Sequence, residues 1–280
     1  MTDIADVNAP QQAYWNDTAG KAWAELQDAL DRQLQPLGED VMAVLAPQPG
    51  ERILDVGCGT GQTTLALGGR VGSAGKVLGV DISRPMLAIA RSRVGDAPGV
   101  EFRESDAQTF RFDPGAFDAI FSRFGVMFFG DPVAAFINLR GALKPGGRLA
   151  FICWRPAAEN PWMTPPTGSA LADLPPPVRP EPGAPGPFGF AEPERVRRIL
   201  ADAGFTDIAI DSHDVKLGGN SLEDTVRLSL SIGPLGSHLR EHPEKRDAVV
   251  AELRKAFAAR LRDGKVVQDG ATWIVAARNP

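Results

Sequence analysis

Apolar side chains recur at threes and fours from Trp23 through Leu26, Leu30, Leu34, Leu37 and Val41 to Leu45, the spacing of a single helix face. The stripe predicts helix over residues 11–46, with Tyr14 and Trp15 just ahead of it and a turn from Pro47 to Gly50. From Arg52 the pattern changes to short apolar runs, which predict strands covered on both faces. They fall at 52–56, 76–80, 100–104, 117–121 and 148–154. Helical stretches separate them: one starting over 62–67, one over 83–93 with Ser83 as its cap and Pro85 in its first turn, and one over 132–143. Lys144-Pro-Gly-Gly147 reads as the turn into the fifth strand. Strands alternating with helices predict an α/β fold on a parallel sheet with right-handed crossovers.

Between Arg155 and Pro193 the chain is crowded with proline, including Pro175-Pro-Pro177, Pro180, Pro182, Pro185 and Pro187. That density excludes strand and helix interiors and predicts a long surface connection with one short helix. Residues 191–204 then read as a helix ending on Gly204, and 205–217 as a strand. Residues 222–261 are helical again, broken near Gly233-Pro234 and His242-Pro243, and 271–277 close the chain as a strand. The helical stretch lies between two strands, so it is expected to be an insertion on the same domain.

Composition removes several classes. The chain has 280 residues, a formal net charge of −5, 43% hydrophobic and 23% charged residues, close to a soluble globular average and long enough to bury a core without staples. Two cysteines, Cys58 and Cys153, do not make a disulfide framework. No apolar run is long enough to span a bilayer, and the acidic start Met1-Thr-Asp-Ile-Ala-Asp lacks the features of a secretory signal. A cytoplasmic setting is expected, with no membrane partner. The negative balance gives no electrostatic reason to hold nucleic acid.

The candidate chemistry lies in Asp55-Val-Gly57-Cys-Gly59-Thr-Gly61, between a buried strand and a helix. Glycines there permit positive φ and a close approach of main chain to a ligand, and they expose the helix's unpaired N–H groups. A dinucleotide fingerprint reads G-x-G-x-x-G. Here the pattern is G-x-G-x-G, preceded inside the strand by Asp55, a carboxylate that suits a ligand carrying positive charge. Asp81 ends the second strand, the place for a carboxylate that accepts ribose hydroxyls. Asp106 follows the third strand, where it can receive the exocyclic amine of adenine, and Ile82 and Met86 are placed to pack on the adenine faces.

Ile53-Leu-Asp-Val-Gly-Cys-Gly-Thr-Gly61, taken with Val80-Asp81-Ile82-Ser83, Ser105-Asp106-Ala107 and Leu143-Lys-Pro-Gly-Gly-Arg148, resembles the class I S-adenosylmethionine-dependent methyltransferases. Within them it resembles the bacterial small-molecule branch that includes the ubiquinone and menaquinone methyltransferases. The motifs cover residues 50–154. The resemblance implies a Rossmann-like, mostly parallel seven-stranded sheet with its last strand antiparallel beside the sixth, helices on both faces, and the N-terminal helices and a helical insertion as lid. It implies one methyltransferase domain over 1–280: a helical cap at 1–49, a cofactor-binding core at 50–154, a proline-rich loop at 155–190, and a C-terminal part at 191–280 carrying the insertion 220–262. The implied cofactor is S-adenosylmethionine. Gly57, Gly59 and Gly61 would approach its methionine part through main chain, flanked by Cys58 and Gln62, with Asp55 organising the loop. Asp81 would hold the ribose, and Asp106 and Ala107 would meet the adenine. Ser122 would offer a carbonyl to the ammonium group, and Trp15, with Tyr14 and Trp23, would close from the cap.

Plainer readings stand beside these. Tyr14 and Trp15 are core anchors or lid. Cys58 is a small buried filler rather than a nucleophile, and Cys153 is sheet core. His213, His238 and His242 have no metal-like spacing; His238 alone is kept as a candidate base. Arg123 binds an anionic acceptor group or pairs on the surface. Trp154, Asn160 and Trp162 wall the acceptor or anchor the proline-rich loop. Val226, Leu228, Leu230, Ile232, Leu235 and Leu239 line a greasy pocket or form the inner face of packed helices. For function, the first reading is methyl transfer to a small, largely apolar organic acceptor by in-line displacement, with no catalytic residue assigned, in a monomer or homodimer. A non-catalytic protein holding the same cofactor and a nicotinamide-dependent oxidoreductase are the alternatives.

Overall fold

The computed structural model describes residues 7–174 and 181–280; the acidic start and the prolines at 175–177 and 180 lie outside the described residues. Eight strands form one sheet: β1 (Arg52–Val56), β2 (Lys76–Asp81), β3 (Val100–Glu104), β4 (Phe117–Arg123), β5 (Leu143–Trp154), β6 (Thr206–Asn220), β7 (Leu261–Arg262) and β8 (Lys265–Arg278). Their order is β3-β2-β1-β4-β5-β8-β6, with the two-residue β7 paired to β8 outside this path. β1 to β5 pair in parallel, and β8 runs antiparallel between β5 and β6. The seven-strand path with its antiparallel last strand agrees with the expectation; β7 is an addition. Strand order reverses between β1 and β4, and in open α/β sheets the crevice at such a switch point takes the ligand.

The helices are α1 (Ala9–Asn16), α2 (Thr18–Glu25), α3 (Gln27–Leu45), α4 (Gln62–Val71), α5 (Arg84–Arg93), α6 (Pro132–Ala142), α7 (Pro193–Asp202), α8 (Leu222–Ser231), α9 (Gly233–Glu241) and α10 (Arg246–Ala258). The single helix expected over 11–46 is three, because the backbone leaves helical geometry at Asp17 (φ −105°, ψ −121°) and loosens at Leu26 (φ −102°, ψ 13°). The apolar stripe nevertheless packs as read: Leu26, Leu30, Leu34, Leu37, Val41 and Leu45 are buried against the sheet. Ser83 caps α5, its hydroxyl accepting from the Met86 N–H at 3.5 Å. Lys144-Pro-Gly-Gly147 is carried inside β5 as an irregularity, with Leu143 opposite Phe117 and Arg148 opposite Ala119.

Across the sheet from α3, Phe136, Phe151, Phe190 and Phe205 form an aromatic core with ring centroids 5.7–6.2 Å apart. The insertion builds a smaller core of its own from Val226, Leu230, Leu235, Leu239, Val249, Leu253, Phe257 and Val266. This decides between the two readings of its apolar residues: most are the inner face of packed helices. Leu228 joins the main core instead, and Ile232 is half-buried. The proline-rich stretch carries two short 3₁₀ turns, Ala157–Glu159 and Pro161–Met163, where one helix was expected.

Candidate functional site

The turn that joins β1 to α4 is fixed by main chain and carboxylates. The N–H groups of Gly57 and Cys58 both donate to the Val80 carbonyl, at 2.9 and 3.1 Å, which sews the turn to β2. Asp81 accepts from the Gly59 N–H with one oxygen and from the Ser83 N–H with the other, each at 2.8 Å. Burial pushes its carboxyl above the ordinary range, opposed by these N–H groups. Beneath the turn, one oxygen of Asp55 accepts from the hydroxyls of Thr63 and Thr64, each at 2.7 Å. Its other oxygen, Oδ1, is buried with no hydrogen-bond partner. Burial raises this carboxyl from 3.8 to about 6. A buried acceptor left unmet is costly, and a cationic ligand group would relieve it.

The three glycines have left-handed φ values of +71°, +55° and +84°, but different surroundings. A Cβ on Gly57 would stand 2.6 Å from the Cα of Gly125, beyond the end of β4, and one on Gly61 would stand 2.7 Å from the Phe102 ring. These two glycines permit close packing within the protein. A Cβ on Gly59 would meet only the Met86 sulfur, at 3.8 Å. Gly59 is therefore the glycine with open space above it, and Met86 supports it from a buried position. Cys58 is buried, and burial raises its thiol well above its ordinary value, which excludes a thiolate nucleophile at neutral pH.

Beside the turn, a cleft of about 470 Å³ lies between α1 and the ends of β2 and β3. Its walls include Ala13 and Asn16 on one side and Ile82, Ser105 and Asp106 on the other. That volume suits a nucleoside-sized ligand, and the Ser105 hydroxyl is buried without a partner. Asp106 accepts from the Gln108 N–H and from the side-chain amide of Asn8, both at 2.8 Å. Ala107 is buried. Helix α1 is pinned across the strand ends: Asn8 accepts from Gly130 N–H at 2.9 Å, Asn16 donates to the Ile82 carbonyl at 2.7 Å, and Ser83 donates to the Trp15 carbonyl at 2.7 Å. The Trp15 ring meets Tyr14, Trp23 and Phe128 edge-on at 5.1–5.8 Å. Asn8 and Asn16 escaped the sequence reading, since their partners are 98 and 66 residues away and neither stands in a motif.

Ser122 is fully buried, and its hydroxyl donates to the Val56 carbonyl at 2.7 Å, tying β4 to β1 beside the turn. Other expected positions are placed otherwise. Arg123 is neither at a pocket mouth nor in a surface pair. It points under the turn and donates to Gln62 Oε1 at 2.6 Å, between Asp31 and Asp55, and burial lowers its pKa. Gln62 thus turns its side chain away from the cleft. Asn160 is also fully buried: it donates to the carbonyls of Arg155 and Ala271 and accepts from the Ala271 N–H and the Trp162 ring N–H. Nothing of its amide is left for an acceptor; it anchors the proline-rich loop to β8. Trp154 stacks on Phe124 at 4.2 Å and touches Trp162 at 4.8 Å, a second aromatic cluster at the ends of β4 and β5. His213 pairs with Asp40 at 2.9 Å, and His238 lies on α9 with its ring 5.2 Å from His242. Among the described residues no cluster of His, Cys, Asp and Glu could hold a metal, and no helix is long and apolar enough to cross a membrane.

A family profile described as a methyltransferase domain matches residues 53–147, the segment that carries the turn, Asp81 and Asp106. The chain is 28% identical over 255 residues to nocamycin O-methyltransferase of Saccharothrix syringae, covering 86% of this chain and 89% of that one. It is 35% identical over 109 residues to a demethylmenaquinone methyltransferase of Staphylococcus epidermidis, covering 39% of this chain and 45% of the relative. These matches support a class I S-adenosylmethionine-dependent methyltransferase of the bacterial small-molecule type. The fold agrees with that of phosphoethanolamine N-methyltransferase 2 of Haemonchus contortus, solved with S-adenosylhomocysteine, at a TM-score of 0.56 and 20% identity over 100% of this chain and 61% of that one. The chain is thus an S-adenosylmethionine-dependent methyltransferase.

Proposed function

We propose that this methyltransferase carries the methyl group to a small, largely apolar organic acceptor held at the ends of β4 and β5. The observation that carries the reading is the pair of aromatic clusters flanking that edge, Trp15 with Trp23 and Phe128 on one side, and Phe124 with Trp154 and Trp162 on the other. Planar apolar surfaces of this kind suit an aromatic or conjugated acceptor.

Asp81 and Asp106 would hold the nucleoside, Ile82 would pack on it, Gly59 would give main chain to the methionine end, and Asp55 would face the ammonium charge. When bound, S-adenosylmethionine supplies a methyl made electrophilic by its sulfonium. The protein's part is to fix the acceptor in line with that methyl and to keep water out, which together can remove much of the barrier. Helices α1 and α2 and the insertion would form the roof, meeting where Tyr14 and Trp23 face Ile232 and Arg240. No residue is assigned as general base; an amine, a thiolate, or an oxygen or carbon acid that ionises readily would need none. Both cysteines are free and buried, which accords with a reducing, cytoplasmic setting; action as a monomer or homodimer without nucleic acid is part of the same proposal.

The test is incubation with methyl-labelled S-adenosylmethionine and a panel of phenols, quinols, conjugated acids and amines. Label should move to a planar member of the panel, with S-adenosylhomocysteine released in equal amount. Tight S-adenosylhomocysteine binding with no transfer across the panel would turn the reading toward a non-catalytic protein. Thermal stabilisation by NAD alone would turn it toward a dinucleotide enzyme.

A further inference from the structure

A turn containing three glycines in five residues has little shape of its own, because each glycine is free over a wide range of φ and ψ. Its shape must be imposed from outside. Asp81 imposes it from one side, through the Gly59 N–H. On the other side stands Arg93, the last residue of α5, which no motif includes. Its Nη1 donates to the Thr60 carbonyl at 2.9 Å and lies 3.4 Å from the Thr60 hydroxyl. The same nitrogen is 2.9 Å from the Asp31 carboxylate on α3. Asp31 is in turn held by Gln27 at 2.6 Å, while its carbonyl accepts from Gln62 at 3.3 Å. The Asp31 side chain is 12% exposed and that of Arg93 28%, so the pair is shielded enough for its breaking to matter.

We propose that Arg93, oriented by Asp31, is a positioning residue that fixes the Thr60–Gly61 peptide and so holds Gly59 ready for the cofactor. The proposal rests on the assignment of the turn to S-adenosylmethionine. By this route the cap helix α3 affects cofactor affinity without touching the cofactor. With the Thr60 carbonyl held by Arg93 and the Gly61 N–H held by the Cys58 carbonyl at 2.9 Å, the peptide has one orientation. Without Arg93, rotation about the flanking bonds is opposed only from the Cys58 side.

Two measurements on the whole chain test this: S-adenosylhomocysteine titration by calorimetry, and hydrogen exchange at the Gly61 amide in ligand-free protein. Arg93→Gln should weaken binding about tenfold, raise the KM for S-adenosylmethionine by a similar factor, leave kcat within about twofold, and speed Gly61 exchange. Arg93→Lys should recover most of the affinity. Asp31→Asn should reproduce the Arg93→Gln phenotype, and the double variant should be no worse than either single one. Unchanged affinity and exchange in Arg93→Gln, a fall in kcat with KM intact, or additive losses in the double variant would overturn the proposal. If Arg93→Gln does not fold, Arg93→Lys and Asp31→Asn carry the same comparison. A wild-type chain that binds no S-adenosylhomocysteine would defeat the functional reading, whereas unchanged Gly61 exchange would defeat the coupling.

Discussion

The turn after β1 and the roof made by α1, α2 and the insertion are built on different terms. The turn is held by hydrogen bonds between main-chain groups and from main chain to carboxylates, anchored on strands β1 and β2, with one side chain, that of Arg93 on α5, on the Thr60 carbonyl. The roof is held by side chains: the Asn8 and Asn16 amides, aromatic edges, and an apolar cluster inside the insertion that is separate from the main core. Main-chain recognition tolerates little variation in glycine and acid positions, which is why a short motif can announce it. Side-chain recognition can be met by many residue types, and no spacing rule announces it. The half of the site proposed to take the cofactor is therefore legible in the chain, and the half proposed to take the acceptor is not.

The contrast can be broken most forcefully in the insertion. Phe257→Ala empties a fully buried aromatic from its core and should cost about 3–5 kcal/mol by chemical denaturation, while S-adenosylhomocysteine affinity changes less than about twofold. Equal loss of affinity would mean that roof and turn are one cooperative unit. In the turn, Gly57→Ala should cost about 3 kcal/mol, since its methyl meets the Gly125 main chain at left-handed φ. Asp55 gives a pH test of intermediate size. Its folded pKa of about 6 stands above the ordinary 3.8, so the folded state binds this proton more tightly than the unfolded one. Its contribution is full below about pH 4 and is lost as pH rises toward 6, at up to about 1.4 kcal/mol per pH unit, levelling above. Asp55→Asn should flatten that part of the stability profile. An unchanged profile would remove the buried-acid assignment. The smallest stability effect belongs to Gly59→Ala, about 1–2 kcal/mol from φ alone, yet this variant should lose cofactor affinity more than tenfold. If Gly59→Ala binds normally, the open space above that residue is not the ligand's.

Particular residues show where the sequence was informative. The stripe from Leu26 to Leu45, the strand 52–56, the Ser83 cap and the helix breaks at 233 and 242–243 were all readable, because each is a local pattern with a local cause. β6 and β8 run to Asn220 and from Lys265, beyond the apolar segments that predict them, because their polar and glycine-rich ends pair as a hairpin-like extension that hydropathy does not mark. The break at Asp17 is a backbone event ahead of the apolar stripe that starts at Trp23, where no glycine or proline marks it. Arg123 looked accessible because it follows a strand into a loop, but Asp31, Asp55 and Gln62 draw it beneath the turn. Asn160 likewise sat where acceptor walls are built and was claimed by the Ala271 main chain 111 residues away.

The central claim is that two strand-end aspartates and the glycine turn grip one nucleoside amino acid. Asp81→Ala removes the first of these acids, and parallel calorimetric titrations of both chains with S-adenosylhomocysteine measure the consequence. Micromolar binding by the wild-type chain, with a loss of about 1.5–3 kcal/mol in the variant, roughly ten- to a hundredfold in Kd, is the predicted result. Equal affinity in the two chains, or no heat in either, would contradict it.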